Sequence, residues 1–175
     1  MLQTKRLTLR AWRDDDVENY AALHADPHVA YWLGGRLSPE EAEERLRTMR
    51  AGLEERGWGM WAVERTEDGS WLGTVGLDPV REDLPVHPAI EASWRMAPSY
   101  WGRGYATEAM RAVLADAVAR GETEIVSFTA ATNTRSQAVM TRLGFKRDAS
   151  SDFDHPRLPQ GHTLRRHVVY RLIQA

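Results

Sequence analysis

Trp101-Gly102-Arg103-Gly104-Tyr105-Ala106 is the stretch on which the reading of this chain turns. A run that alternates as a strand, 89–97, precedes it. After it Ala106, Ala109, Met110, Val113, Leu114 and Ala117 fall on one helical stripe that Gly121 ends. Two glycines let a backbone approach a ligand closely, and a helix N-terminus offers unpaired N–H groups with a partial positive charge. Strand, glycine turn and helix in that order predict a pyrophosphate cradle; the alternative is a tight turn without a ligand. Two nucleotide-binding patterns fail, because there is no G-x-x-x-x-G-K-[ST] and the glycines do not fit G-x-G-x-x-G.

Working outward, residues 124–131 read as the next strand and 134–143 as a helix ended by Gly144. Upstream, Trp58, Met60 and Ala62 alternate with Gly59, Trp61 and Val63. A turn at Glu67-Asp68-Gly69 leads to Trp71 through Leu77, which makes a β-hairpin. Residues 82–88 form a Pro-containing loop. Ser38-Pro39-Glu40-Glu41 carries a capping Ser, a Pro at the first helical position and a Glu three residues past the cap. It opens a helix to about Glu55. Residues 2–12 read as one strand, and an Asp at 14, 15 or 16 caps a helix that Asp26-Pro27 stops. The tail from Phe145 holds two strands around the loop 154–159. The order is β-α-α-β-β-β-α-β-α-β-β.

The bulk numbers fit that order. A chain of 175 residues is one domain, 1–175, long enough to bury about two-thirds of its unfolded surface. It is 42% hydrophobic and 27% charged with a net charge of −2, and its 23 basic residues are scattered, which argues against a nucleic-acid footprint. No apolar run nears the roughly 18 residues of a membrane span, and the alternating start lacks a signal-peptide core, so a cytoplasmic location is expected. There is no cysteine. That excludes disulfides, thiolate zinc sites and any Cys nucleophile, so an acyl transferase built this way cannot hold the acetyl group on an enzyme thiol, which favours direct transfer in a ternary complex.

Pro98-Ser99-Tyr100-Trp101-Gly102-Arg103-Gly104-Tyr105-Ala106-Thr107-Glu108-Ala109 resembles the acetyl-CoA signature of the GNAT acetyltransferases. The likeness is nearest to the RimJ/RimL branch of ribosomal-protein N-terminal acetyltransferases. A second element, Asn133-Thr134-Arg135-Ser136 followed by Leu143-Gly144-Phe145, resembles the family's N-x-x-S … L-G-F. Thr4–Arg10 and Gly73–Leu77 add support, so the resemblance covers nearly the whole chain and is weakest in 24–37 and 149–165. One departure stands out: the general form [QR]-x-x-G-x-[GA] has a Gln or Arg ahead of the glycines. Here Trp101 precedes Gly102, leaving Arg103 as the side chain nearest a pyrophosphate.

The resemblance implies a mixed α/β GNAT fold. Its central, mostly antiparallel sheet has about seven strands, splayed between the fourth (89–97) and fifth (124–131), with helices on both faces. It implies N-acetylation with acetyl-CoA and no metal. The turn from Trp101 to Thr107 would bind coenzyme A, and the Trp94-Arg95-Met96 backbone would hold pantetheine and face the thioester oxygen as an oxyanion donor. Asn133 would bind the pantetheine arm, and the Ser136 hydroxyl would donate to the departing thiolate, unless Ser136 merely caps its helix. Glu91 would be the base, acting through water, unless it is an ordinary paired strand carboxylate; alternation places it with Ser93 and Arg95. Glu108 reads as structural, an acid favoured in a helix first turn.

The acceptor loops would be 24–36 and 152–159, with Tyr31, Trp32, Asp154 and His155 shaping the pocket, although the two aromatics equally suit a core. His24, His28, His155, His162 and His167 show no ligand spacing, so no metal is expected. The acceptor would be an amine, a protein N-terminus among the options, and the protein a monomer or homodimer. A non-catalytic acyl-CoA-binding module, or an antibiotic- or polyamine-type acetyltransferase, are the rival readings.

Overall fold

The structure is a computed structural model that describes residues 1–173. Nine strands form a sheet in the order β1-β2-β3-β4-β5-β6-β9-β7, with β8 paired to β9. These are β1 (Leu2–Gln3), β2 (Leu7–Arg10), β3 (Met60–Arg65), β4 (Trp71–Pro79), β5 (Ile90–Met96), β6 (Glu124–Ala130), β7 (Lys146–Arg147), β8 (Phe153–Asp154) and β9 (Arg166–Ile173). The helices are α1 (Asp16–Ala25), α2 (Pro27–Trp32), α3 (Pro39–Arg56), α4 (Tyr105–Ala119) and α5 (Thr134–Arg142). Among the described residues no helix is long and apolar enough to cross a membrane.

The chain divides into two compact units. Unit 1 comprises Met1–Leu77 and Trp94–Val113, and unit 2 comprises Asp78–Ser93 and Leu114–Ala175, so β5 and α4 each begin in one unit and end in the other. In unit 1, β2, β3 and β4 pair antiparallel with Leu9 opposite Val63 and Val63 opposite Gly73. Leu7, Leu9, Val63, Leu72 and Val75 lie fully buried there. A buried ion pair ties β2 to the start of α1: Arg10 meets both oxygens of Asp16 at 2.6 and 2.8 Å. In unit 2, β5 runs parallel to β6 with Glu91 opposite Val126, and β9 lies antiparallel to β6. Val80, Leu84, Val86, Val126, Phe153 and Val169 make its core.

The helix signals translate directly. Ser38 and Glu41 form the reciprocal capping box of α3, and Gly57 closes that helix at φ 74°. On α4 the expected stripe is buried at Ala109, Met110, Val113, Leu114 and Ala117.

Four expectations need correction. Residues 2–12 are not one strand: Thr4 accepts from the Leu7 amide at 3.0 Å and its own amide donates to the Leu7 carbonyl at 2.9 Å, folding β1 back on β2. The segment 24–36 is not all loop. Asp26-Pro27, read as a stop, is also a start, because the Asp26 side chain accepts from the His28 amide and Pro27 takes the first position of α2. The tail holds three strands, not two. The sheet therefore has nine strands rather than about seven; the additional ones are two residues long, too short to display a period.

Candidate active site

In unit 1 the glycine turn has the backbone its sequence demands. A 3-10 turn at Pro98–Tyr100 follows β5, and Gly102 and Gly104 then adopt φ of 73° and 80°. These are left-handed values that other residues reach only at a cost. A Cβ at Gly102 would meet no atom within 4 Å, and one at Gly104 only the tip of Arg6 at 3.6 Å. The protein itself therefore leaves the space beside both glycines open. The first intrahelical bond of α4 runs from the Glu108 amide to the Gly104 carbonyl at 3.0 Å. The amides of Tyr105, Ala106 and Thr107 precede it and have no intrahelical acceptor. Arg103 is exposed and makes no ion pair among the described residues.

What pins this turn is a residue that the sequence reading had left without a role. Arg6 donates from Nε to Glu108 at 2.7 Å and from Nη2 to the Arg103 carbonyl at 3.1 Å, with its guanidinium 4.5 Å from the Tyr105 ring centre. Thr4 Oγ1 and the Arg6 amide donate to the other Glu108 oxygen at 2.7 and 2.9 Å. Burial works to raise the Glu108 pKa, but the hydrogen bonds from Thr4 and Arg6 and the Arg6 charge together hold it below the usual carboxylate range. Glu108 is thus structural, as expected, through a partner 102 residues away rather than through the helix dipole alone.

Trp94, Arg95 and Met96 close β5 within the same unit. The Met96 side chain is buried and Trp94 is half-buried; the Met96 carbonyl accepts from Trp101 Nε1 at 2.6 Å. The neighbouring strand approaches this segment through Gly73, where a Cβ would stand 2.1 Å from the Arg95 carbonyl oxygen and 2.8 Å from Met96 Cα. A glycine inside a strand signals such an approach, so this constraint was available in the sequence. Of the two acceptor-loop aromatics, Tyr31 is exposed and Trp32 half-buried, their rings edge-on at 4.8 Å on α2. Exposure removes the core alternative for Tyr31.

Unit 2 carries the remaining candidates. Glu91 is half-buried on β5 opposite Val126, and one residue on, the Ala92 carbonyl accepts from Ser127 Oγ at 2.8 Å. Asn133 caps α5: its Oδ1 accepts from the Ser136 amide at 3.2 Å while its Nδ2 donates to Thr129 Oγ1 at 3.1 Å. Ser136 is therefore not the cap. Its half-buried hydroxyl has no hydrogen-bond partner among the described residues.

Asp154 is exposed and pairs with Arg165 and Arg166 at 3.4 and 3.5 Å. His155 stacks into a ring cluster with His167 at 5.0 Å and Phe153 at 6.4 Å. Burial, followed by the neighbouring His167 and Arg81, pushes its pKa down to about 4; burial likewise lowers His167, against a hydrogen bond to the Arg165 carbonyl. Neutral imidazole is the form both present near pH 7. Among the described residues no three His, Asp or Glu side chains gather as a metal-ligand set.

The chain resembles known proteins along most of its length. The model of the acetyltransferase (GNAT) domain matches residues 6–146. The N-acetyltransferase YoaA of Bacillus subtilis is 26% identical over 151 residues, covering 85% of this chain and 84% of that protein. An acetyltransferase structure from Agrobacterium tumefaciens superposes with a TM-score of 0.79 at 27% identity, over 99% of this chain and 94% of that one. The fold also matches, at TM-score 0.77 and 19% identity over 98% and 97% of the two chains, a Salmonella typhimurium acetyltransferase that modifies the N-terminal serine of ribosomal protein L7/L12.

Proposed function

Because this chain belongs to the GNAT acetyltransferase family, we propose that it transfers acetyl directly from acetyl-CoA to a primary amine, a protein N-terminal α-amine or a small-molecule amine, in a ternary complex. The observation that carries the reading is the turn at 102–104. Two left-handed glycines with open space at their Cβ positions lead into the three acceptor-less amides of α4. Helix N-terminal amides and their dipole suit a pyrophosphate, and exposed Arg103 adds a cation. We propose that residues 1–175 act as one acetyltransferase domain.

The chemistry assigned to the residues follows from charge. The amine nitrogen attacks the thioester carbonyl carbon, the C–S bond breaks, and the leaving thiolate collects a proton. A backbone amide in Trp94-Arg95-Met96 receives the oxygen charge. Ser136, whose hydroxyl is not spent on capping, donates to the thiolate; its acidity is too low to surrender the proton outright. Glu91 accepts the amine proton through water. With no cysteine in the chain, no acetyl-thiol enzyme intermediate intervenes.

Coenzyme A release over a panel of amines tests the activity, and a pH–rate profile of Glu91→Gln tests the base. An α-amine with a pKa of ~7.7–8.0 loses its proton at neutral pH far more cheaply than a lysine at ~10.4. On an α-amine, Glu91→Gln should therefore lower kcat/KM by about tenfold to a hundredfold, and higher pH should restore much of the loss. Acetyl-CoA binding without release on any amine would identify a non-catalytic module instead.

A further inference from the structure

Arg95 stands apart from the other buried or half-buried arginines. Arg10, Arg50, Arg65, Arg165 and Arg171 each meet a carboxylate, at distances from 2.5 to 3.4 Å, and Arg56 lies over the Trp58 ring at 4.9 Å. Arg95 is half-buried on β5 and has no hydrogen bond or ion pair among the described residues. A guanidinium partly removed from water and left without an anion costs free energy, which a bound anion would recover.

A second orphan accompanies it in the same unit. His24, on the last turn of α1, has no exposed surface, and neither ring nitrogen has a hydrogen-bond partner. Its ring packs at 4.5 Å from Tyr20. Burial first, then the positive charges of Arg95 and Arg45, push its pKa down to about 3. The neutral ring must hold one N–H, a buried donor without an acceptor. Arg45, on α3, is exposed and likewise makes no ion pair among the described residues. Two unneutralised cations and a buried unused donor thus share one neighbourhood, beside the β5 backbone to which the oxyanion role is assigned.

We propose that Arg95, with Arg45, receives a carboxylate of the acceptor, so that the acceptor is an amine that also bears an acid group. This rests on the acetyltransferase reading and names its substrate class. A polyamine, cationic along its length, would be repelled by the same charges. Two sources supply the chemistry: the main-chain carboxylate of a free amino acid, or an acidic side chain near the N-terminus of a peptide. Arg95 is a positioning and specificity group, and it moves no proton.

Coenzyme A release with matched acceptors decides it. Leucine against leucinamide tests a main-chain carboxylate; the amidated dipeptides Ala-Glu and Ala-Gln test a side-chain one. In the source that applies, kcat/KM expressed per neutral amine should be greater for the acid than for the amide by about tenfold to a hundredfold, the strength of a charge-assisted hydrogen bond. Arg95→Gln should erase the preference by slowing the acid alone, and Arg95→Lys should keep part of it. Release on these amines without an acid preference in either pair, or an equal loss for acid and amide in Arg95→Gln, overturns the inference while leaving the acetyltransferase standing. Should no amine in the panel be turned over, calorimetry of N-acetylleucine against N-acetylleucinamide, and of the two N-acetylated dipeptide amides, with coenzyme A present, reads the same preference without catalysis. Equal binding in both pairs would refute it.

Discussion

Unit 1 is shaped by backbone, whereas the strap of unit 2 from Asp148 to His167 is shaped by side chains. In unit 1 the decisive positions are glycines: Gly73, against the β5 backbone, and Gly102 and Gly104 at positive φ. The strap has little regular structure: a 3-10 turn at Ala149–Ser151, the two residues of β8 and the first two of β9. Charge and rings hold it instead. Asp148 pairs with Arg171, and Asp152 pairs with Arg147 and accepts from the Val169 amide. His155, His167, Phe153 and Phe128 form a ring cluster in which Phe153 stacks on His167 and meets Phe128 edge-on. A collision at a backbone-limited position should cost the same at every pH, whereas a region held by charges and rings should give way by titration.

The largest effect is expected at Gly73. An alanine there would place its Cβ 2.1 Å from the Arg95 carbonyl oxygen, and the obstruction is backbone, which has no rotamer to change. Loss of at least ~3 kcal/mol, or failure to fold, should follow. Thermal unfolding over a range of pH is the check. A near-neutral Gly73→Ala would mean that β4 and β5 separate easily and that unit 1 is not backbone-limited.

The strap should answer to acid. His155 has a folded pKa of about 4, below the ~6.5 of an unfolded histidine. Between those values the unfolded chain binds more protons at this site, so the His155 contribution to stability falls as pH drops from about 6.5 to 4 and levels off below. With allowance for solvent screening the loss is about 1–2 kcal/mol. His155→Gln should make that part of the profile less steep without levelling it, because His24, whose pKa is about 3, loses its own contribution across the same window and on down to about pH 3. An unchanged slope in the variant would place the acid sensitivity elsewhere.

The same contrast explains what the sequence disclosed. Capping boxes and glycine turns are local, so α3 and the turn at 101–104 were legible from residues three or four apart. Asp26-Pro27 was legible too, but ambiguous, because one dipeptide ends α1 and begins α2. The strap was opaque, since Asp148 and Arg171 are 23 residues apart and nothing local announces their pairing. The candidate site divides likewise. Gly102, Gly104 and the Asn133 cap follow from local pattern, while the clamp of Arg6 on Glu108 joins residues 102 apart. The orphan state of Arg95 and His24 is a matter of burial, which residue identity does not reveal.

The smallest effect on stability, and the one that sharpens the comparison most, belongs to the turn. An alanine at Gly102 meets no atom within 4 Å, so its only cost to the folded protein is the left-handed φ of 73°, about 1 kcal/mol. Gly104→Ala should cost about as much, since its Cβ would touch only the flexible tip of Arg6 at 3.6 Å. The protein therefore tolerates a methyl group at either glycine, whereas a pyrophosphate seated against the turn would not. Calorimetry with acetyl-CoA separates the two. If the turn is a phosphate cradle, both variants stay folded with near-wild-type melting temperatures but bind acetyl-CoA about tenfold or more weakly, because the added Cβ displaces the ligand from the α4 amides. Equal affinity in folded variants would make the glycines a requirement of the chain reversal alone. The three free amides of α4 would then need another occupant.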